Sequence, residues 1–177
     1  MRLRLRLLWL MLAALWRGPL KVLAESVLTF RVLPNDVDIS RITDDRFIAL
    51  MDLGRMDFAV RGGLIKTMLR CRWAPLVTFA TVRLRYPLKI FQQYQLRTRI
   101  IYWDDDTFYF QQQFERKGRK VATGYVCATL LGPHGRISPK DVLAEIRQLV
   151  TRPDKPEIVS RLQDLNAMIH QEQKEAA

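Results

Sequence analysis

Four carboxylates fall within ten residues of this chain. Asp36 and Asp38 sit in and just after the turn cluster Pro34-Asn35-Asp36, and Asp44 and Asp45 follow Thr43, where a helical period begins. Carboxylates in such a place either close turns and cap helices or do acid–base and nucleophilic work. Ser40 or Thr43 can cap the helix, and Asp44 and Asp45 suit its positive end. Other chemistries have little to draw on. The only histidines are His134 and His170, too few for a His-based metal site or a Ser-His-Asp triad. Cys71 and Cys127 lie far apart without paired spacing, which speaks against a disulfide framework or Cys-rich metal site and for a reducing compartment. His134, in Gly132-Pro133-His134-Gly135, reads as a loop residue.

The elements that must position these groups follow from periodicity. Val27–Leu33 alternates as a strand and ends at the turn cluster. From Thr43 the pattern is helical, with Phe47, Met51, Gly54 and Phe58 on one stripe, and Gly62-Gly63 ends it. Gly54 within that stripe costs about 1 kcal/mol against Ala, so the helix is expected to approach a sheet closely there. Four strands follow over Leu76–Tyr86, Tyr94–Trp103, Phe108–Arg116 and Val121–Leu131. Short connections at Asp104-Asp105-Asp106 and Lys117-Gly118 make the last of them antiparallel hairpins. Ala122, Gly124, Val126 and Ala128 leave room for a helix against the last strand. Helices are predicted near Ser138–Val150 and Glu157–Gln173, the second with a packing stripe of Ile158, Leu162, Leu165 and Ile169. Strand, long helix and four antiparallel strands make an α+β hot-dog arrangement, a curved antiparallel sheet wrapped around a central helix.

The chain divides into an N-terminal amphipathic segment (1–25), a central domain (26–150) and a C-terminal helix (151–177). Their charges are +4, +8 and −1, within a net +11 over 177 residues. The basic excess suits anionic lipid, the phosphates of a nucleotide-bearing ligand, or nucleic acid. No RNA-binding signature occurs, which weighs against nucleic acid. The uninterrupted apolar run Leu7–Trp16 is ten residues, against about 20 for a membrane-spanning helix. As a helix it places Arg2, Arg6, Ala13 and Arg17 on one face and Leu5, Leu8, Met11, Leu12 and Leu15 opposite, before Gly18-Pro19 stops it. Three readings stand: residues 1–20 lie on an anionic membrane surface, they are a signal peptide cleaved after Val22-Leu23-Ala24, or the helix packs on its own domain or a second subunit.

Phe30–Asp38, then Phe47 and Leu50-Met51-Asp52-Leu53-Gly54-Arg55, resemble the entry loop and central helix of hot-dog acyl-CoA thioesterases. The branch is the 4-hydroxybenzoyl-CoA thioesterase-like one, in a form with a hydrophobic N-terminal segment. Arg85–Gln92, Arg97-Thr98-Arg99, Tyr102-Trp103-Asp104 and Phe108-Tyr109 agree with it, and the likeness covers about residues 26–145. The resemblance implies hydrolysis of an acyl thioester to free acid and coenzyme A, with Asp38 as nucleophile or general base. It also implies an oxyanion held by backbone donors at the helix start, around Thr43, Asp44 and Asp45. Coenzyme A would be part of the substrate, with no metal and no separate cofactor. Family members bind it at a subunit interface, so a homodimer or tetramer is expected. Arg55, Arg61, Lys66, Arg70, Arg72, Arg83, Arg85, Arg97 and Arg99 are the cations available for its phosphates.

The sequence departs from the family loop where Asn, His, an Asn-Asn pair and Tyr stand. It has Ser40, Ile42, Asp44-Asp45 and Phe47 there. Ile42 carries no proton, and two acidic residues at the helix start oppose a developing oxyanion. Asp38 therefore has a second reading as a turn or capping carboxylate, and the whole protein has one as a binder of acyl-CoA or lipid. Asp52 and Asp57 read as surface or salt-bridging groups. The expected location is cytoplasmic, with peripheral membrane association through the N-terminus.

Overall fold

A computed structural model describes residues 9–14, 16–37 and 41–175. Strands β1 (Ser26–Arg31), β2 (Ala74–Leu84), β3 (Gln93–Trp103), β4 (Phe108–Arg116), β5 (Arg119–Gly132) and β6 (Gly135–Ile137) form one antiparallel sheet. Its order is β1-β3-β4-β5-β2, with β6 paired to β5. The β4–β5 turn is built from Lys117 and Gly118, both at positive φ (49° and 74°), the geometry a two-residue hairpin needs. At the β3–β4 turn the Asp104 carboxylate accepts from the amides of Asp106 and Thr107 at 3.0 and 2.8 Å.

Helix α1 (Asp44–Arg61) lies against this sheet as the sequence pattern requires. Phe47, Leu50, Met51 and Leu53 pack with Leu28, Tyr94, Leu96, Phe114, Ala122 and Val126 in the main core. Two glycines permit that approach. A Cβ on Gly54 would meet Thr98 Oγ1 and Gln112 Nε2, and one on Gly124 would meet the Met51 side chain. This is the hot-dog arrangement, with β1 and β2 as its outer strands.

Some expectations need correction. Gly62-Gly63 does end α1, but Gly63 at φ 77° starts a second helix, α2 (Leu64–Cys71), which the sequence pattern did not announce. The helix expected over 138–150 is α3, only Pro139–Glu145, capped by Ser138 accepting from the Asp141 amide. Helix α4 (Glu157–Glu175) buries Val159 and Leu162, but Ile158, Leu165 and Ile169 of its supposed packing stripe are exposed. It is held near its start, where Val159 meets Tyr109 and Cys127 and Gln163 donates to Asp104 and to the Tyr109 hydroxyl, both at 3.0 Å.

The N-terminal segment also packs differently from its amphipathic reading. Residues 9–14 and 16 are helical, and the buried side chains are Leu10 and Ala14, while Trp9, Leu12 and Trp16 face outward. Leu10 belongs to the main core, and Leu20 and Val22 belong to a second cluster with Phe58, Trp103 and Val142. Arg2, Arg6, Leu5, Leu8 and Leu15 lie outside the described residues. No helix among the described residues is long and apolar enough to cross a membrane. Cys71 and Cys127 are free thiols.

Candidate functional site

The loop before α1 is shaped by a buried carboxylate. Asp36 accepts from the Leu33 amide at 3.0 Å and closes the turn it sits in. Val37 then faces Ile42 across an antiparallel bridge, and Arg41 faces Lys89 across another. The Ile42 amide donates to the Leu88 carbonyl at 2.9 Å, and its side chain is in the main core. Phe47 is buried edge-on to Phe114, ring centroids 5.0 Å apart. Two of the departures from the family loop, Ile42 and Phe47, therefore fill apolar space where the family has polar groups. Asp38 and Ser40 lie outside the described residues.

Thr43 stands at the cap position of α1, but its hydroxyl does not cap the helix. The Arg46 amide donates instead to the Thr43 carbonyl at 3.1 Å. The Thr43 hydroxyl donates to the exposed Asp45 carboxylate and, with the Arg46 charge and the amides of Asp45 and Arg46, holds its pKa below the ordinary value. The positive end of the helix is thus already answered by the chain's own carboxylate. Asp44 is the first helical residue.

Two turns further along, α1 carries a polar network. Arg55 donates to Gln112 Oε1 at 2.6 Å and pairs with Asp52. Gln112 is fully buried and donates to the Met51 carbonyl and Thr98 Oγ1 at 2.8 and 2.9 Å. Burial lowers the Arg55 pKa from its usual range, and the Asp52 charge works the other way. Beside this pair a groove of about 380 Å³ runs between α1, α2 and strands β2, β4 and β5. Met56, Ala59, Ile65, Met68, Val77 and Phe110 are among its walls, and Asp52 and Arg55 are its charged residues among those described. The signal for this network was in the sequence: Gln112 interrupts the inward alternation Phe108, Phe110, Phe114 of β4.

Asp57, the other helix carboxylate, is completely buried. It accepts from Ser26 Oγ at 2.6 Å and pairs with Arg17 and Arg61 at 3.5 and 3.4 Å. It is therefore salt-bridging but not a surface group, because the N-terminal segment covers it. Of the nine candidate cations, Arg55, Arg61, Arg70 and Arg97 are in ion pairs, and Arg99 donates to Gln111. Lys66, Arg72, Arg83 and Arg85 form no ion pair among the described residues and stand exposed. His134 is an exposed residue of the β5–β6 turn, as expected.

Residues 32–166 match the family model described as the thioesterase-like superfamily. The chain belongs to that superfamily. It is 32% identical over 143 residues to Protein THEM6 of Danio rerio, covering 78% of this chain and 69% of that protein. Protein THEM6 of Xenopus laevis is 28% identical over 132 residues, covering 72% of this chain and 62% of that protein. Among solved structures, the BH1999 gentisyl-coenzyme A thioesterase superposes with a TM-score of 0.59 at 22% identity, covering 69% of this chain and 99% of its own. SAV2348 of Staphylococcus aureus, in complex with CoA, gives 0.61 at 14% identity, covering 77% of this chain and 94% of its own. These likenesses bear out the hot-dog fold of this thioesterase-like chain.

Proposed function

We propose that this protein hydrolyses an acyl-CoA thioester, with Asp38 as the acting carboxylate. The observation that carries the reading is the family match across a loop whose flanks are tied down beside the start of α1. In the proposed step Asp38 takes a proton from water while the water oxygen attacks the thioester carbonyl carbon. Amides at the helix start stabilise the resulting oxyanion, and collapse expels the coenzyme A thiolate, which is then protonated. Asp38 can instead attack directly, giving an anhydride that water cleaves. Asp38→Asn keeps shape and turn hydrogen bonds but loses the base. It should lower release of free thiol from acyl-CoA by orders of magnitude while leaving folding and acyl-CoA binding nearly intact. Equal hydrolysis by wild type and variant would sink the assignment.

A second reading, an acyl-CoA or lipid binder without turnover, is favoured by Asp45 answering the helix end and by the apolar Ile42 and Phe47. Measurable acyl-CoA binding with no hydrolysis at any chain length would make it the better one. Either way a homodimer or tetramer is expected, since β2 is an outer strand largely exposed along its length. Light scattering showing only monomers at micromolar concentration would count against that. The outward Trp9, Leu12 and Trp16, next to a basic N-terminal sequence, support peripheral binding to anionic membrane from the cytoplasmic side. Liposome sedimentation that is insensitive to salt would argue against it.

A further inference from the structure

We infer that the end of the sheet where α1 begins is a docking surface for an anionic lipid bilayer, built from cations of the folded domain and separate from residues 1–20. The inference deepens the peripheral-membrane reading above and rests on it for the choice of partner. The β4–β5 hairpin carries it. Arg116, Lys117, Arg119 and Lys120 are four cations within five residues, and none of them forms an ion pair among the described residues. The adjacent Glu115 is already taken by Arg97. Arg116 and Arg119 stand directly opposite each other in the β4–β5 register, and like charges so placed cost stability. Lys117 holds φ 49°, where glycine or asparagine is the ordinary choice. The hairpin thus keeps charge that works against its own folding.

The pattern continues around the same end. The amides of Arg85 and Tyr86 donate to the Val121 carbonyl at 2.9 and 3.1 Å, which sets the end of β2 beside Lys120. Arg83 and Arg85 are exposed there, and the Arg85 guanidinium lies 5.5 Å from the centre of the exposed Tyr86 ring. In the loop from β2 to β3, Lys89 faces Arg41 across their bridge, a second like-charged pair. Phe91 follows at φ 62° and is 60% exposed. Arg72 and Arg147 share that left-handed geometry, but just after helices, where it is ordinary. Lys117 and Phe91 instead hold a cation and a ring outward at positions glycine would fill without strain.

Cations interleaved with exposed aromatic rings suit a headgroup layer, where charge meets anionic lipid and rings sit at the interface. The N-terminal helix leads to the same end. Leu20 and Val22 belong to the cluster around Phe58 at the far end of α1, whereas Leu10 belongs to the core that holds Val32, Ile42 and Leu88. The helix therefore runs back towards the cations with Trp9 and Leu12 outward. A nucleic acid would answer the cations but leave those apolar side chains in water, and a bilayer answers both.

The test is co-sedimentation of the full chain with vesicles of phosphatidylcholine, alone or with about 30% phosphatidylserine. Lys117→Asn combined with Arg119→Gln removes the strained cation and the facing pair. This double variant should melt no lower than wild type, yet bind the anionic vesicles roughly 25-fold more weakly, about fivefold for each cation. On neutral vesicles the two proteins should behave alike. Phe91→Gly relieves the other strained position and should weaken anionic binding about fivefold. Equal binding of wild type and double variant to anionic vesicles would overturn the assignment and leave the contact to residues 1–20. Wild type that binds neither vesicle would retire the membrane reading along with it. A double variant that sediments normally but loses binding to single-stranded RNA or to coenzyme A would give the patch to that polyanion instead.

Discussion

The two ends of α1 carry carboxylates with opposite fates. Asp45, in the first turn, is fully exposed, with Thr43, neighbouring amides and Arg46 around it. Asp57, in the last turns, has no exposed side-chain surface and is enclosed by Ser26, Arg17 and Arg61. The residue type is the same and so is the helix. What differs is the chain laid over each end: the N-terminal segment covers the second and leaves the first exposed. One end is a buried clasp, and the other is an exposed carboxylate that answers its own helix start.

The largest expected effect breaks the clasp. Asp57→Ala leaves two guanidinium groups without their buried partner, which should cost about 3–5 kcal/mol in urea unfolding. It should also make the bonds after Arg17 and Lys21 faster trypsin targets. A loss comparable to that of an exposed pair, under about 1 kcal/mol, would mean that the N-terminal segment is not held through Asp57.

Next comes the core side of the loop. Ile42→His restores the family residue, but at a position with only 5% exposure in the main core. A buried imidazole without a partner should cost about 1–3 kcal/mol. The expected result is a lower melting temperature with no gain in hydrolysis, even when Ser40→Asn is added. A stable, faster double variant would show that the apolar loop, and not the acidic helix start, limits activity.

A smaller effect is expected between the two ends. Gly54→Ala gains about 1 kcal/mol of helix propensity but pushes a Cβ into Thr98 and Gln112. Overpacking of this kind costs about 1–3 kcal/mol, so a modest net destabilisation is expected. Arg55 would lose its Gln112 anchor along with it. A thermally stabilised variant would mean that helix and sheet can separate freely there.

The legible parts of this molecule were those with a period. Alternation revealed β1, β-branched and aromatic richness between short turns revealed β3 to β5, and the stripe Phe47, Met51, Gly54, Phe58 revealed the central helix and its close approach, down to the glycine that permits it. What stayed hidden depends on contacts between distant segments. Burial of Asp57 needs Arg17, forty residues earlier, and nothing local distinguishes it from Asp52. The open stripe of α4 looks like packing in sequence because periodicity reports amphipathicity, not whether a partner surface extends that far. Helix α2 follows two glycines that read as a stop, and one of them, in the left-handed region, turns the chain into a new helix. The candidate site was legible mainly by family likeness. Its departures, Ile42 and Phe47, make physical sense only once they are seen in the core.

The smallest structural change tests the open end of α1. Asp45→Asn removes a charge from an exposed side chain, so folding should hardly change near neutral pH. Because the Asp45 pKa is lowered in the folded protein, its stabilising contribution is present above the unfolded value of about 3.8. That contribution is lost as pH falls through the folded value. The stability difference between wild type and Asp45→Asn should therefore be constant above about pH 5 and shrink in more acidic solution. The catalytic consequence runs the other way. A carboxylate at the helix start competes with the oxyanion for the same amides and the same positive potential. Removing its charge should raise acyl-CoA hydrolysis about twofold to fivefold, in kcat more than in KM, because the competition matters most when negative charge has developed. An Asp45→Asn rate equal to or below wild type would place the oxyanion away from the first turn. The opposed fates of the two carboxylates would then reflect packing alone.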